Sequence, residues 1–318
     1  MSKKVLVTGG AGFIGSNIVE GLLESGFEVV AVDNLFLGVK DYWSEFEERF
    51  GDRFSGVVGD VRDYELLERV ASDVDYVVHM AAASSLPMFV PDPREGVEVN
   101  VLGFLNVLEL ARRHDNVDKV IYASTSSIYG AFVPPHREDL PVFPRMFYEY
   151  SMYAREHAAR IYNDLHGIKA FGLRFFSIYG PREQHKGKYA NIVTQFLWLM
   201  RRGERPVIFG DGSQTRDFTF VKDVVEVVKR IISDDKLELE VFNVGTGIET
   251  TFNEVVKLLN EVLRTNIEPI YKENPIKNYV YRTQADTRKI EKLLGYKPNT
   301  PLIEGLKLIK QYYENLKS

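Results

Sequence analysis

TGGAGFIGS, residues 8–16, stands between the β-branched run KVLV and an amphipathic segment that opens at Phe13. Its glycines, Gly9, Gly12 and Gly15, meet three needs: a tight turn, close backbone approach to a pyrophosphate, and close packing of a helix on a sheet. Phe13 and Ile14 begin the helix, where unpaired N–H groups and the positive end of the helix dipole attract an anion. The spacing predicts a strand, a phosphate-binding turn and a helix, in that order. A glycine-rich turn with no ligand is the alternative.

The alternation repeats downstream. EVVAVD precedes a helical pattern over 41–50, and GVVGD, YVVHMAA, KVIYAST and KAFGLRFF follow, separated by longer amphipathic segments. Such an order requires crossovers, and crossovers give a parallel sheet covered by helices on both faces. The expected fold is α/β, a Rossmann-like doubly wound parallel sheet. After Pro181 the pattern loosens, with helices expected over 221–232, 251–263 and 301–313. These predict a smaller C-terminal substrate-binding lobe over 181–318, beside an NAD-binding domain over 1–180. Residues 221–250 are expected to return to the first domain through a strand near 240–244.

The 318 residues are 45% hydrophobic and 27% charged, with a net charge of −5 and no run long enough to span a membrane. A soluble protein is expected, and the start MSKKVLVTGG, which runs directly into a strand, predicts a cytoplasmic one. Zero cysteines exclude disulfides and thiolate chemistry, and six scattered histidines show no metal-ligand spacing, so no metal is expected. The acidic balance argues against nucleic acid as a partner.

Asp33 ends the second predicted strand in VDN, followed by Asn34. A carboxylate there accepts hydrogen bonds from a ribose diol and repels a 2′-phosphate, which makes NAD rather than NADP the expected cofactor.

Eleven segments together resemble, in order and over nearly the whole chain, nucleotide-sugar epimerases and dehydratases of the extended short-chain dehydrogenase/reductase family. They are TGGAGFIGS at Thr8, VDN at Val32, GDVRD at Gly59, HMAA at His79, DP at Asp92, NVLGFLNVLE at Asn100, YASTSSIYG at Tyr122, Tyr148 with Glu156, LRFFSIYGPR at Leu173, GDGSQTRDF at Gly210 and NVGTG at Asn243. The resemblance implies that Asp60 and Val61 flank the adenine. Ala81, Ala82 and Ala83 then lie beside the cofactor's bridging and ribose groups, and Asn100 and Ser124 also belong to the cofactor shell. Ser84 and Ser85 begin a loop that reaches substrate, joined there by Ser126. Arg216 is expected to grip the nucleotide-sugar diphosphate, a task that suits a guanidinium fork; pairing with Asp211 or Asp217 is the alternative.

The family's catalytic hydroxyl falls on Thr125 and its general base on Tyr148, which takes the O4 proton while a C4 hydride leaves for NAD. One role is unfilled. The lysine expected four residues after the tyrosine is Met152, whose thioether carries no charge and donates no hydrogen bond. An unperturbed phenol titrates near pH 10, so a tyrosine without that cation is less ionised near neutral pH. Arg155 shares a helical face with Tyr148 and Met152, one turn further on, where electrostatic help to the tyrosine without the lysine's contacts is the alternative; a solvated or salt-bridged arginine is the expectation there.

Ser126 and Ser127 stand where dehydratases of the family carry an Asp-Glu pair, which leaves elimination without its acid and base. The resemblance therefore implies a UDP-sugar 4-epimerase acting on UDP-glucose/UDP-galactose or a UDP-N-acetylhexosamine through a 4-keto intermediate. A dehydratase or oxidoreductase, or an NAD- and nucleotide-sugar-binding protein without turnover, are the alternatives. Thr283 is expected near the sugar's C2 substituent. Ser177 replaces an Asn that contacts the nucleotide-sugar, and Lys277 or Arg282 is expected to hold phosphate. Helices over 93–113 and 148–165 are the family's dimer elements, so a homodimer is expected.

Overall fold

In the computed structural model, residues 2–275 and 279–316 are described. Six parallel strands, β1 (Lys4–Thr8), β2 (Glu28–Asp33), β3 (Phe54–Val58), β4 (Tyr76–His79), β5 (Lys119–Thr125) and β6 (Ala170–Phe175), form the sheet with a seventh, Glu240–Val244. Their order is Glu240–Val244, β6, β5, β4, β1, β2, β3, and every neighbouring pair is parallel. The apolar runs lack alternation because both faces are covered: Val5, Leu6, Val7, Val77, Val78, Val120 and Ile121 are all fully buried.

Helices α1 (Phe13–Glu24) and α2 (Asp41–Phe50) cover one face. On the other lie α3 (Tyr64–Val70), α4 (Pro93–Val97), α5 (Gly103–Arg113) and α6 (Phe147–His166). The span 93–113 was expected as one helix. Its middle turn, Glu98–Leu102, is instead a π-helix, and the extra residue per turn directs Asn100 into the interior, where it is fully buried.

Five further helices follow: α7 (Ile192–Arg201), α8 (Val221–Ser233), α9 (Phe252–Leu263), α10 (Arg288–Leu294) and α11 (Leu302–Asn315). α8 is strongly amphipathic and lays Val221, Val224, Val225 and Val228 into the core shared with α1. α7, α9 and α11 enclose a separate cluster around Phe196, Leu197, Val255, Leu259 and Ile309. Among the described residues, no helix is long and apolar enough to cross a membrane.

Candidate active site

The strand order reverses between β1 and β4, and the carboxyl ends of these strands open a cleft at the switch point, where ligands of such sheets bind. The cleft holds about 380 Å³ and is lined by Gly9, Gly12, Phe13, Ile14, Gly15, Asp33, Asn34, Asp60, Val61, Ala81, Ala82, Ala83 and Ser84. Thirteen positions singled out from the sequence thus share one surface. Gly9 has φ +71°, and a Cβ there would stand 2.6 Å from the Ala81 backbone nitrogen; one on Gly15 would run into the Gly9 carbonyl oxygen. The two loops can approach this closely only without side chains. Gly12 caps α1 without a side-chain hydrogen bond, which leaves the helix's first N–H groups facing the cleft.

Asp33 is buried at the edge of β2. Its carboxylate accepts from the Ala11 nitrogen at 3.0 Å and the Leu35 nitrogen at 2.8 Å, and burial raises its pKa against these bonds. Asn34 donates to Asp60 at 3.1 Å, and Asp60 is gripped by Arg62 through two 2.9 Å bonds. The Arg62 side chain lines the cleft but was not singled out in the sequence, nor were Lys186 and Tyr189, which come from the segment after β6. That segment is fastened to α1. The buried Arg182 guanidinium bonds the Ser16 carbonyl at 3.3 Å and Glu20 at 3.1 Å, and Asn17 donates to the Pro181 carbonyl.

Thr125 and Tyr148 meet beyond the residues that line this cleft. Thr125 ends β5, its Oγ1 accepts from the Ser127 nitrogen at 3.2 Å, and its hydroxyl lies close enough to Tyr148 to act on that phenol. Burial pushes the Tyr148 phenol above its ordinary value, while the Thr125 hydroxyl and the Arg155 charge pull it back. Phe89 packs on the Tyr148 ring at 5.9 Å, one residue beyond Met88 in the cleft wall. Ser124 points away from the cleft, donating at 2.6 Å to Glu156, which is paired with Arg174 at 2.6 Å.

Met152 is buried, 3.5 Å from the Asn100 side-chain nitrogen. Asn100 also donates to the Ala83 carbonyl at 3.1 Å and accepts from the Ala83 nitrogen at 2.8 Å, so it braces the cleft wall from behind. The expectation for Arg155 is overturned: it is neither solvated nor salt-bridged but fully buried. Its guanidinium donates to the carbonyls of Asn100 at 2.7 Å, Ala81 at 2.9 Å and Ala123 at 3.3 Å. A buried guanidinium needs acceptors, and backbone carbonyls supply them here.

Arg216 is also free of the suggested acidic partners. It donates to the Thr215 carbonyl at 2.7 Å and the Tyr281 carbonyl at 3.4 Å, with its guanidinium over the rings of Phe252 and Tyr279. Asp217 serves Thr246, Gly247 and Ala285 instead, and Asp211 bonds Ser213. Arg282 is engaged by Glu249 at 2.6 Å, and Thr283 follows it, partly buried. Ser177 has φ +40° beside the Ile178–Tyr179 strand; Lys277 lies outside the described residues. Ser85 precedes the short Leu86–Phe89 turn, and Ser126 opens the Ser126–Tyr129 turn. No group of three or more His, Asp or Glu among the described residues could hold a metal.

Residues 5–245 match the model of the NAD dependent epimerase/dehydratase family. The chain is 36% identical over 313 residues to a putative UDP-glucose 4-epimerase of Methanocaldococcus jannaschii, covering 98% of each chain. It is 31% identical to UDP-glucuronic acid decarboxylase 1 of Danio rerio, over 98% of this chain and 72% of that one. Among solved structures, the UDP-glucose 4-epimerase of Thermotoga maritima with UDP-glucose superposes with a TM-score of 0.90 at 35% identity, covering 99% of this chain and 100% of that one. The Thermus thermophilus UDP-glucose 4-epimerase in complex with NAD gives 0.85 at 33% identity, over 98% and 99%. The protein belongs to the NAD dependent epimerase/dehydratase family, and its cofactor is NAD. The glycine loop that a Cβ would obstruct, and the uncapped α1 terminus, fit that cofactor's pyrophosphate.

Proposed function

We propose that the protein is a nucleotide-sugar 4-epimerase acting on a UDP-hexose, UDP-glucose and UDP-galactose or their N-acetyl counterparts. The observation that carries this reading is the pairing of Thr125 with Tyr148 beside the cleft, next to Ser126 and Ser127. Bound NAD supplies the reversible acceptor for the C4 hydride. Thr125 holds the sugar's O4 and passes its proton to Tyr148, which returns it once the 4-keto sugar has turned its other face. The same two residues serve both directions, so no consumed reductant is required.

Elimination of water or carbon dioxide needs further acid-base groups, and the two serines offer none at neutral pH. Arg216, held by carbonyls and aromatic faces rather than by a carboxylate, is suited to the substrate diphosphate. Exposed Leu102, Ile161 and Leu165 on the helices following Pro93 and Phe147 suit a homodimer packed through those helices.

The test is incubation with NAD and a panel of UDP- and dTDP-sugars, with products resolved by chromatography and proton NMR. A C4 epimer made by the wild type and lost in Tyr148→Phe supports the reading. An unsaturated or decarboxylated product, or binding without turnover, opposes it.

A further inference from the structure

Met152 removes a cation from the base's surroundings, and three residues on, the same helix buries one. We infer that Arg155 supplies the fixed positive charge that favours the Tyr148 phenolate, acting through space from beneath the cleft wall as a positioning residue. The inference rests on the proposed role of Tyr148 as the general base.

Four observations carry it. Arg155 is fully buried, yet among the described residues its hydrogen-bond partners are Asn100, Ala81 and Ala123, and no carboxylate neutralises it. An ion pair with an acid would cancel its field; bonds to carbonyl oxygens leave the unit charge in place. Two of the three carbonyls it holds belong to the turn after β4 and to β5 near its end, the segments that carry the cleft wall and Thr125. Finally, Asn100 links Met152 and Arg155: its amide nitrogen lies 3.5 Å from the Met152 sulfur, while its oxygen accepts from Arg155 at 3.3 Å.

The other titratable groups facing Arg155 are His79 and Tyr122. His79 is fully buried, bonded to Thr8 at 2.8 Å, and held neutral by burial and by Arg155 itself. Burial keeps Tyr122 protonated. Behind Tyr122, Glu156 is matched by Arg174, and among the described residues Glu149 is the acid that acts on Tyr148. Burial lowers the Arg155 pKa to about 9, which leaves it charged at neutral pH.

Seven residues separate Tyr148 from Arg155, roughly 10 Å along the axis, and the side chain leans back toward the helix N-terminus. At an effective dielectric near 20, a unit charge at that distance moves a phenol's midpoint by about one pH unit. The contact is longer-ranged than a lysine's at position 152 and does not replace that residue's hydrogen bonds.

The test reads Tyr148 without substrate. The NAD-saturated protein is labelled at tyrosine Cζ with carbon-13, and Tyr148→Phe assigns its resonance among the 17 tyrosines. In Arg155→Met the Tyr148 midpoint should rise by about one pH unit, and in Arg155→Lys it should stay near wild type. Arg155→Gln, which removes the charge but keeps an amide donor for the carbonyls, should give the same rise, and it decides the matter alone if Arg155→Met does not fold. Turnover at pH 7 should fall about tenfold in both charge-removing variants and recover as pH increases. A Tyr148 midpoint unmoved in folded Arg155→Met or in Arg155→Gln overturns the role of Arg155. Absence of an epimer from the wild type, with the midpoint shift intact, overturns the proposed function instead.

Discussion

The Met152 sulfur sits 3.5 Å from the side-chain nitrogen of Asn100, in the space where a lysine at that position would seek hydrogen-bond partners. Asn100 is already committed to both backbone groups of Ala83 and to the Ser151 hydroxyl at 2.9 Å. A lysine there would also lie one helical turn from the buried Arg155 charge. Met152→Lys should therefore lower stability by about 1–3 kcal/mol without raising turnover. In an Arg155→Met background the same lysine should restore turnover. Thermal unfolding together with initial rates of the single and double variants checks both statements.

Gly9 admits no side chain, for reasons of both conformation and space. Gly9→Ala must adopt a left-handed backbone, at a cost of about 1–2 kcal/mol, and press on the Ala81 nitrogen. Because that contact joins the β1 and β4 loops around the cleft, NAD affinity should fall by at least tenfold, measured by isothermal titration calorimetry.

The proposed grip of Arg216 on the substrate diphosphate predicts an effect on one ligand and not the other. It lies on the Thr215–Arg216 strand, outside the NAD cleft. Arg216→Ala should weaken UDP binding by about two orders of magnitude while leaving NAD affinity within twofold, since buried charge-assisted bonds to a phosphate are strong. Arg216→Lys should recover little, because an ammonium lacks the planar fork. Calorimetry with UDP and with NAD on each variant distinguishes these outcomes.

Glu20 ties the segment after β6 to α1. Burial opposes its charge, but Arg182, Lys222 and Arg49 outweigh that and lower its pKa from 4.5 to about 2. The folded value lies below the unfolded one, so the stabilisation is complete above about pH 4.5 and is lost as pH falls toward 2. Glu20→Gln should cost on the order of 2–3 kcal/mol at pH 7 and progressively less below pH 4. Urea denaturation at a series of pH values measures the difference. The same variant should loosen Lys186 and Tyr189 at the cleft, seen as weaker NAD binding.

Much of this was legible in sequence where the signal is contiguous. TGGAGFIGS and Asp33 predicted the turn, the first helix and the cleft edge because backbone geometry and a strand-end carboxylate act locally, and the doubly wound sheet followed from uninterrupted apolar strands. Arg155 was misread because its partners are backbone carbonyls brought from Ala81, Asn100 and Ala123, which leave no side-chain pattern to match. The π turn that buries Asn100 has no compositional mark in EVNVL. Lys186 and Tyr189 reach the cleft through the buried Arg182–Glu20 pair, a tertiary contact across 162 positions.

Reversible C4 hydride transfer is the central claim, and UDP-glucose and UDP-N-acetylglucosamine carrying deuterium at C4 test it most directly. The wild-type protein with NAD should convert one of them to its C4 epimer with the deuterium retained at C4, followed by proton and deuterium NMR, and Tyr148→Phe should slow this by about 10²–10⁴-fold. Deuterium lost to solvent, or recovered at another carbon of a deoxy or decarboxylated sugar, would contradict it.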